Sequence, residues 1–361
     1  MMQADVRTVV VGMSGGVDSS LAAALLVQRG YRVIGMMLRL WSEPGEGQYN
    51  RCCTPDAMAQ ARRVASMLGI PFYAVDARDD FHTNVVKTFL DGYSRGITPN
   101  PCLACNRRIR WGLLMDRARL FGADFLATGH YARLERTPQG RIRLLRARDE
   151  WKDQSYVLSV LNQEQLAHTL LPLGDFTKAE VRGMAREMGL PVADRPESQD
   201  LCFLGRSDYR TFLLRHAPEV RQPGPIFDAR GNLLGEHDGL AFYTIGQRKG
   251  LRIAAPQALY VLEKDLERNA LVVGTRGELG RSELIADQVN WIAGAPPVGV
   301  FRAQVKIRYK ADLAWGMVTP EGSDGMRIVF DQPLRDVTPG QAAVVYVGDE
   351  CLGGGIISTY G

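Results

Sequence analysis

Two features of this 361-residue chain carry residue types that could do covalent and phosphoryl chemistry. The stretch "TPNPCLACNRR", residues 98 to 108, sets Cys102 and Cys105 three positions apart in an Asn-Pro loop with Arg107 and Arg108 behind them. Cys-x-x-Cys spacing serves zinc sites, redox pairs and iron-sulfur clusters alike, and each needs further partners before it means anything. Zinc is the weaker reading, because no second Cys or His pair stands at ligand spacing. The second feature is "GMSGGVDSS", Gly12 to Ser20. Gly15 and Gly16 allow a tight turn whose amides approach a ligand, while Ser14 and Ser19 add hydroxyls at the start of the next helix, where the dipole favours an anion. The loop suits a phosphate or pyrophosphate. It lacks the Gly-Lys-Ser/Thr ending of a Walker A loop and the third glycine of a dinucleotide fingerprint.

These residues need a frame. "RTVVVGM" is a short β-branched run that ends at the loop, and "DSSLAAALLVQRG" follows with helical spacing. "YRVIGMMLRLW" and "PFYAVDA" read as further buried strands. Between them "TPDAMAQARRVASMLGI" offers Thr54 as N-cap, Pro55 at the first helical position and Gly69 as the stop. Strand and helix alternate, which predicts an α/β doubly wound parallel sheet. A helix is expected from about Asp79 to Tyr93, another over "NRRIRWGLLMDRARLFG", a strand in "ADFLATGHYAR" and a hairpin turning at Pro138-Gln139-Gly140. After about residue 205 short alternating segments with turn signals take over. The expected division is a catalytic domain at 1–209, a small β-rich connecting domain at 210–278 and a C-terminal β-barrel at 279–361.

Composition sets bounds on the setting. No run of 18 apolar residues occurs, the N-terminus lacks the pattern of a secretory leader, and six cysteines are too few for a disulfide scaffold. The chain is expected to be cytoplasmic, away from membranes and monomeric, with any disulfide transient. Net charge is only +4, but residues 101 to 148 hold eleven arginines, no lysine and three acids. Such a segment is the footprint of phosphate-backbone binding, or else a solvated helix and hairpin that use Arg.

Ser-Gly-Gly-Val-Asp-Ser after the first strand resembles the pyrophosphate loop of the N-type ATP pyrophosphatases, whose fold is of the adenine nucleotide alpha hydrolase kind. "TPNPCLACN", "ATGHYAR", "KDQSY", "ESQDLCFLG", "YTIGQRKGL" and "TPGQAAVVY…CLGGGII" then follow in the order of the tRNA-specific 2-thiouridylases. The resemblance runs from about residue 7 to the end. It implies ATP-dependent 2-thiolation of the wobble uridine in tRNA (Lys, Glu and Gln acceptors), with Mg²⁺ and a sulfur donor, either a cysteine desulfurase or a carrier protein. Cys105 matches the family's nucleophile and Cys202 its persulfide carrier, the two forming a transient disulfide. Gly12, Met13, Ser14, Gly15, Gly16, Val17, Asp18 and Ser19 match the phosphate loop, with Leu38 on adenine and Gly129 at another strand end. Asn100, Pro101, Cys102 and His130 match positions facing the target base. Lys152, Asp153, Gln154, Arg308, Tyr309 and Gln341 match further tRNA contacts.

The residues add their own physics. A helix start at Cys105 and the adjacent arginines would depress its thiol pKa. Cys202, read without the resemblance, is a buried structural thiol, and Cys52, Cys53 and Cys351 are packing thiols. Some family members carry Asp at the position of Cys102, so its acid-base role is open. The substitution leaves Cys102, Cys105 and Cys202 as three potential ligands of a [4Fe-4S] cluster. Two further readings stay open: an amide-forming ATP pyrophosphatase, and a non-catalytic RNA-binding protein that keeps the loop as a relic.

Overall fold

The computed structural model describes residues 6–43, 54–196, 201–205 and 207–360; Cys52, Cys53 and the "ESQD" part of the motif before Cys202 lie outside them. The first strand, β1 (Thr8–Gly12), enters the phosphate loop, and α1 (Val17–Gln28) leaves it. β2 (Arg32–Arg39), α2 (Pro55–Met67) and β3 (Phe72–Asp76) follow. As expected, Thr54 caps α2: its hydroxyl accepts from the Ala57 amide at 3.0 Å, with Pro55 next in line. β4 (Phe125–Ala127) and the short β7 (Thr169–Leu170) complete a sheet of order β3-β2-β1-β4-β7, parallel at every pairing.

Both faces of that sheet are covered, as parallel sheets require. Alternate residues of β1 point to opposite sides: Val9 and Val11 join a core with α1, α2 and the helix Lys178–Glu187, while Val10 joins one with Trp111, Leu114 and Tyr156. α1 is buried almost all round. Its run of Ser and Ala admits close neighbours where larger side chains would not fit.

The expected hairpin forms as β5 (Arg133–Arg136) and β6 (Ile142–Leu145). A four-stranded sheet follows, of order β10-β11-β8-β9, from β8 (Gly224–Asp228), β9 (Leu233–His237), β10 (Tyr260–Asp265) and β11 (Ala270–Gly274). The C-terminal strands are β12 (Arg281–Trp291), β13 (Phe301–Lys306), β14 (Ala314–Glu321), β15 (Gly325–Leu334), β16 (Ala342–Val347) and β17 (Glu350–Tyr360). They run β12-β15-β14-β13-β16-β17 and close by β12–β17 pairing into a six-stranded antiparallel barrel.

The barrel is not a separate bead. Hairpin strand β6 pairs with β17, placing Leu145 opposite Glu350 and Leu144 opposite Cys351. Ala342, Val344, Tyr346 and Cys351 share one core with Trp111 and Tyr156 of the α/β domain. Cys351 is buried there, as expected of a packing thiol, and burial pushes its pKa up. The hairpin arginines serve this junction. Arg133 and Arg146 pair with Asp349 at 2.8 and 2.9 Å, and Arg141 and Arg143 with Glu350 at 2.7 and 2.8 Å. With Arg119 on Glu164 and Arg148 on Glu180, six of the eleven arginines of residues 101 to 148 hold the protein together. Much of the basic segment is thus an interdomain strut, and the three acids within the segment could not have disclosed partners two hundred residues away.

Candidate active site

The phosphate loop is built from its own hydrogen bonds. The Ser14 amide donates to Ser19 Oγ at 3.1 Å, Ser19 Oγ lies 3.2 Å from Ser14 Oγ, and it donates to the Gly16 carbonyl at 3.2 Å. Gly15 sits at φ +71°, with Ala57 O only 2.2 Å from where a Cβ would be, so no larger residue fits. Gly16 caps α1 without a side-chain hydrogen bond, leaving the first amides of the helix directed into the loop.

Basic side chains that sequence patterns did not single out close on this loop. Lys178 Nζ donates to both carboxylate oxygens of Asp18 at 2.6 and 2.8 Å, and the Tyr131 hydroxyl donates to Asp18 Oδ1 at 2.7 Å. Arg195 donates to the Gly15 carbonyl at 3.0 Å and pairs with Asp56 at 2.7 Å. The helix start at Lys178 was legible, since Thr177 and Glu180 form a capping box. Its approach to Asp18, 160 residues away, was not. Gly129, after β4, lies against the α1 start: a Cβ there would be 2.7 Å from Asp18 C and Ser19 N.

The cysteine loop departs from expectation in one respect. The helix begins at Pro101, four residues before Cys105, and runs through Pro101–Ala104, a widened stretch Cys105–Leu114 with π-type bonding, and Met115–Leu120. Asn100 is its cap, accepting from the amides of Cys102 and Leu103 at 3.1 and 3.4 Å, and Pro101 takes the first position. Asn followed by Pro is itself a start signal, written four residues ahead of Cys105. The field of the helix terminus is therefore felt at Cys102. Cys105 lies a turn further in, beyond the reach of most of that field.

Cys105 does stand beside the phosphate loop. It lines one cleft with Gly12, Met13 and Ser14 of the loop, Met36, Leu38 and Leu40 of the β2 edge, Ile109, Arg110 and Leu114 of its own helix, and Thr128. The cleft stands at the carboxyl ends of parallel strands, where such sheets bind ligands. Cys105 and Cys202 are both half-buried against one apolar cluster with Phe81, Phe89 and Phe203, whereas Cys102 is exposed. Among the described residues no three His, Cys, Asp or Glu side chains are grouped as a metal site, so the three cysteines do not assemble a cluster cage.

The remaining positions divide. His130 is buried beside Trp111, its Nδ1 2.8 Å from Thr128 Oγ1; burial, then Arg110, holds its pKa well below the usual range, so the ring is neutral. Asp153 is also buried, and its carboxylate accepts from the Ala147 and Ser155 amides and the Ser155 hydroxyl. Gln154 accepts from the Tyr131 amide at 3.0 Å. Both shape the turn that carries Lys152, next to the fully exposed Trp151. Arg308 pairs with Asp336 at 2.7 Å, and the Tyr309 ring lies 6.2 Å from that of Tyr156. Gln341 turns inward onto the cysteine loop, its Nε2 donating to the Thr98 carbonyl at 2.8 Å.

Among the described residues no helix is long and apolar enough to cross a membrane. Three domain families match along the sequence: a tRNA methyl transferase HUP domain over residues 7–206, a tRNA methyl transferase PRC-barrel domain over 210–275, and an aminomethyltransferase beta-barrel domain over 281–357. The chain is 50% identical over 356 residues to the tRNA-specific 2-thiouridylase MnmA of Moorella thermoacetica, covering 97% of this chain and 99% of that protein. It is 46% identical over 359 residues to its counterpart in Symbiobacterium thermophilum, covering 97% and 92%. A solved 4-thiouridine synthetase–RNA complex with bound ATP aligns at a TM-score of 0.37 and 18% identity, over 59% of this chain and 51% of that one. The methyl transferase wording belongs to the domain descriptions, while the relatives matched over nearly their whole length are thiouridylases. The chain belongs to the tRNA-specific 2-thiouridylase family.

Proposed function

We propose that this protein is a tRNA-uridine 2-sulfurtransferase, which uses ATP to replace the C2 oxygen of the wobble uridine by sulfur. One observation supports this above others: Cys105 shares a cleft with the phosphate loop and the Leu38 edge of β2. A thiol there can act on a base whose O2 has just been adenylated. The loop amides from Gly12 to Ser19, with Val17 and Asp18 opening α1, hold the ATP phosphates, Lys178 and Arg195 fix the loop, and Leu38 packs on adenine. Asp18, whose two oxygens already take Lys178 and Tyr131, is not free to be a ligand, so a Mg²⁺ here would be held by phosphates and water and would offset the charge of departing pyrophosphate.

The sulfur step needs two thiols. A donor of the cysteine desulfurase or carrier class leaves a persulfide on Cys202. Its terminal sulfur attacks C2, the C2–O2 bond breaks and AMP leaves. The Cys105 thiolate then attacks Cys202 Sγ, the S–S bond breaks with its electron pair passing to the transferred sulfur, and a Cys105–Cys202 disulfide remains. A dithiol reductant restores both thiols. Asn100, Pro101 and Cys102 face the flipped base. His130, neutral and behind Trp111, supports that wall, while Lys152, Arg308 and Tyr309 meet the RNA. The protein works as a cytoplasmic monomer. Among the described residues the cysteines are not grouped as a cluster cage.

The test is thiolation of unmodified tRNA by anaerobically purified protein with ATP, Mg²⁺ and a persulfide donor, read by nucleoside mass spectrometry. Wild type should yield 2-thiouridine, and C105S and C202S none. Thiolation by C202S at the wild-type rate would overturn the persulfide route.

A further inference from the structure

Three segments far apart in sequence meet at Asn100, the residue that starts the cysteine helix. From the barrel, Gln341 donates to the Thr98 carbonyl at 2.8 Å and lies 3.5 Å from that of Pro99. The Pro339 carbonyl accepts from the Thr98 amide at 3.0 Å. Gly340, at φ +90°, lies flat on this strand of the loop: a Cβ would meet Thr98 C and O at 2.9 Å. From the "KDQSY" turn comes Tyr156, wholly buried. Its hydroxyl donates to the Ala342 carbonyl at 3.1 Å, accepts from the Ala342 amide at 3.3 Å and stands next to the Asn100 side chain. Since Asn100 Oδ1 is turned to the Cys102 and Leu103 amides, its amide nitrogen is the group left to face Tyr156.

We infer that Gln341 and Tyr156 are positioning residues for the reaction: the barrel, through them, sets where Asn100 and Cys102 stand. Backbone carbonyls of a Pro-flanked loop have no helix or sheet ladder to hold them. Here the Gln341 amide holds the Thr98 carbonyl and the Pro339 carbonyl holds the Thr98 amide, in place of that ladder. The Gln341 amide is directed at protein carbonyls, which makes its effect one on rate and not on RNA affinity. Tyr156 suits the same task, since its hydroxyl touches barrel backbone and helix cap together and burial keeps it protonated, with a pKa pushed above the ordinary value. The Tyr309 ring packs near Tyr156 and Arg308 beside it, so RNA seated on those two residues presses on the same strut.

This rests on the thiolation reading, and the experiment separates the two. Wild-type, Q341M, Q341E and Y156F proteins are assayed for tRNA dissociation constant by filter binding and for single-turnover pyrophosphate release and thiolation with saturating tRNA and ATP. Misplacement by about an ångström at a reacting centre costs up to roughly a hundredfold in rate. Q341M and Y156F should each slow the single-turnover steps about tenfold or more, and Q341E further, with the dissociation constant within twofold of wild type. Thermal melts show whether each variant is folded, and Q341M, on the half-buried residue, keeps the test alive if Y156F is not. A weakened tRNA affinity with unchanged rates makes Gln341 an RNA contact and overturns the inference, as do wild-type rates throughout. Failure of the wild-type protein itself to thiolate tRNA overturns the thiolation reading instead.

Discussion

Replacing Gly129 by Ala tests the nucleotide site without touching any group that could do chemistry. The residue follows β4 and lies against the backbone of Asp18 and Ser19, where the added Cβ would stand 2.7 Å from both Asp18 C and Ser19 N. Ordinary contact begins near 3.4 Å, so either the β4 end or the α1 start must retreat by about 0.7 Å. Neither neighbour is a flexible side-chain tip, and both segments are buried, so overpacking should cost about 1–3 kcal/mol of stability. The loop amides proposed to hold phosphate move with the α1 start, and a shift of that size predicts a loss of roughly 10–100-fold in kcat/KM for ATP. The assay is tRNA-dependent pyrophosphate release as a function of ATP concentration, with the urea midpoint measured alongside. Gly183→Ala is the matched control. It lies in the helix Lys178–Glu187 with nothing within 4 Å of its prospective Cβ, and should leave activity intact while adding about 0.5–1 kcal/mol. If G129A binds ATP and releases pyrophosphate like wild type, the placement of the loop against β4 has been misread.

Further outcomes follow from the same geometry. C105S and C202S should lose thiolation yet keep tRNA-dependent pyrophosphate release within about threefold, because adenylation precedes sulfur transfer; loss of pyrophosphate release in both would place the thiols in the adenylation step. Glu350→Gln removes a carboxylate only 12% exposed that pairs with Arg141 and Arg143, and should lower stability by about 1–3 kcal/mol, between the values for exposed and buried pairs. Asp349→Asn, whose carboxylate is half exposed, should cost less than about 1 kcal/mol by the same urea titration. His130 and His237 are both held below the ordinary histidine pKa by burial. Below about pH 6.5 the unfolded chain gains protons that the folded one refuses, so stability should fall as pH drops from 6.5 towards 5, by at most about 1.4 kcal/mol per pH unit for each histidine. The fall should be shallower in H130Q, and an identical slope in H130Q would show that His130 does not stay neutral.

Local signals were enough for much of this protein. Strand, Gly-rich turn and helix at residues 7 to 28, the Thr54-Pro55 helix start, the hairpin at Pro138-Gln139-Gly140 and the β-rich second half follow from hydrophobic period, caps and turn residues, all of which act over a few positions. The phosphate loop was legible for the same reason, its hydrogen bonds joining residues no more than five apart. The start of the cysteine helix is also written locally, in Asn100-Pro101, where Asn accepts from the first amides and Pro takes the position that needs no donor, four residues before the expected start at Cys105.

Tertiary structure alone decided how these pieces combine. That Lys178 closes on Asp18, that Cys105 and Cys202 meet one apolar cluster, and that Asp349 and Glu350 bind four hairpin arginines are contacts across roughly 100 to 216 residues of sequence. No residue type or spacing encodes them, because each depends on the sheet order and on β6 joining the barrel. The same holds for which polar groups face the substrate. Asp153, His130 and Gln341 look equivalent to Lys152 and Arg308 as residue types, and only the folded chain turns the first three inward, since burial requires their polar atoms to find partners within the protein. The residues that could do chemistry were readable from the sequence; what positions them is settled by packing between elements that the sequence keeps far apart.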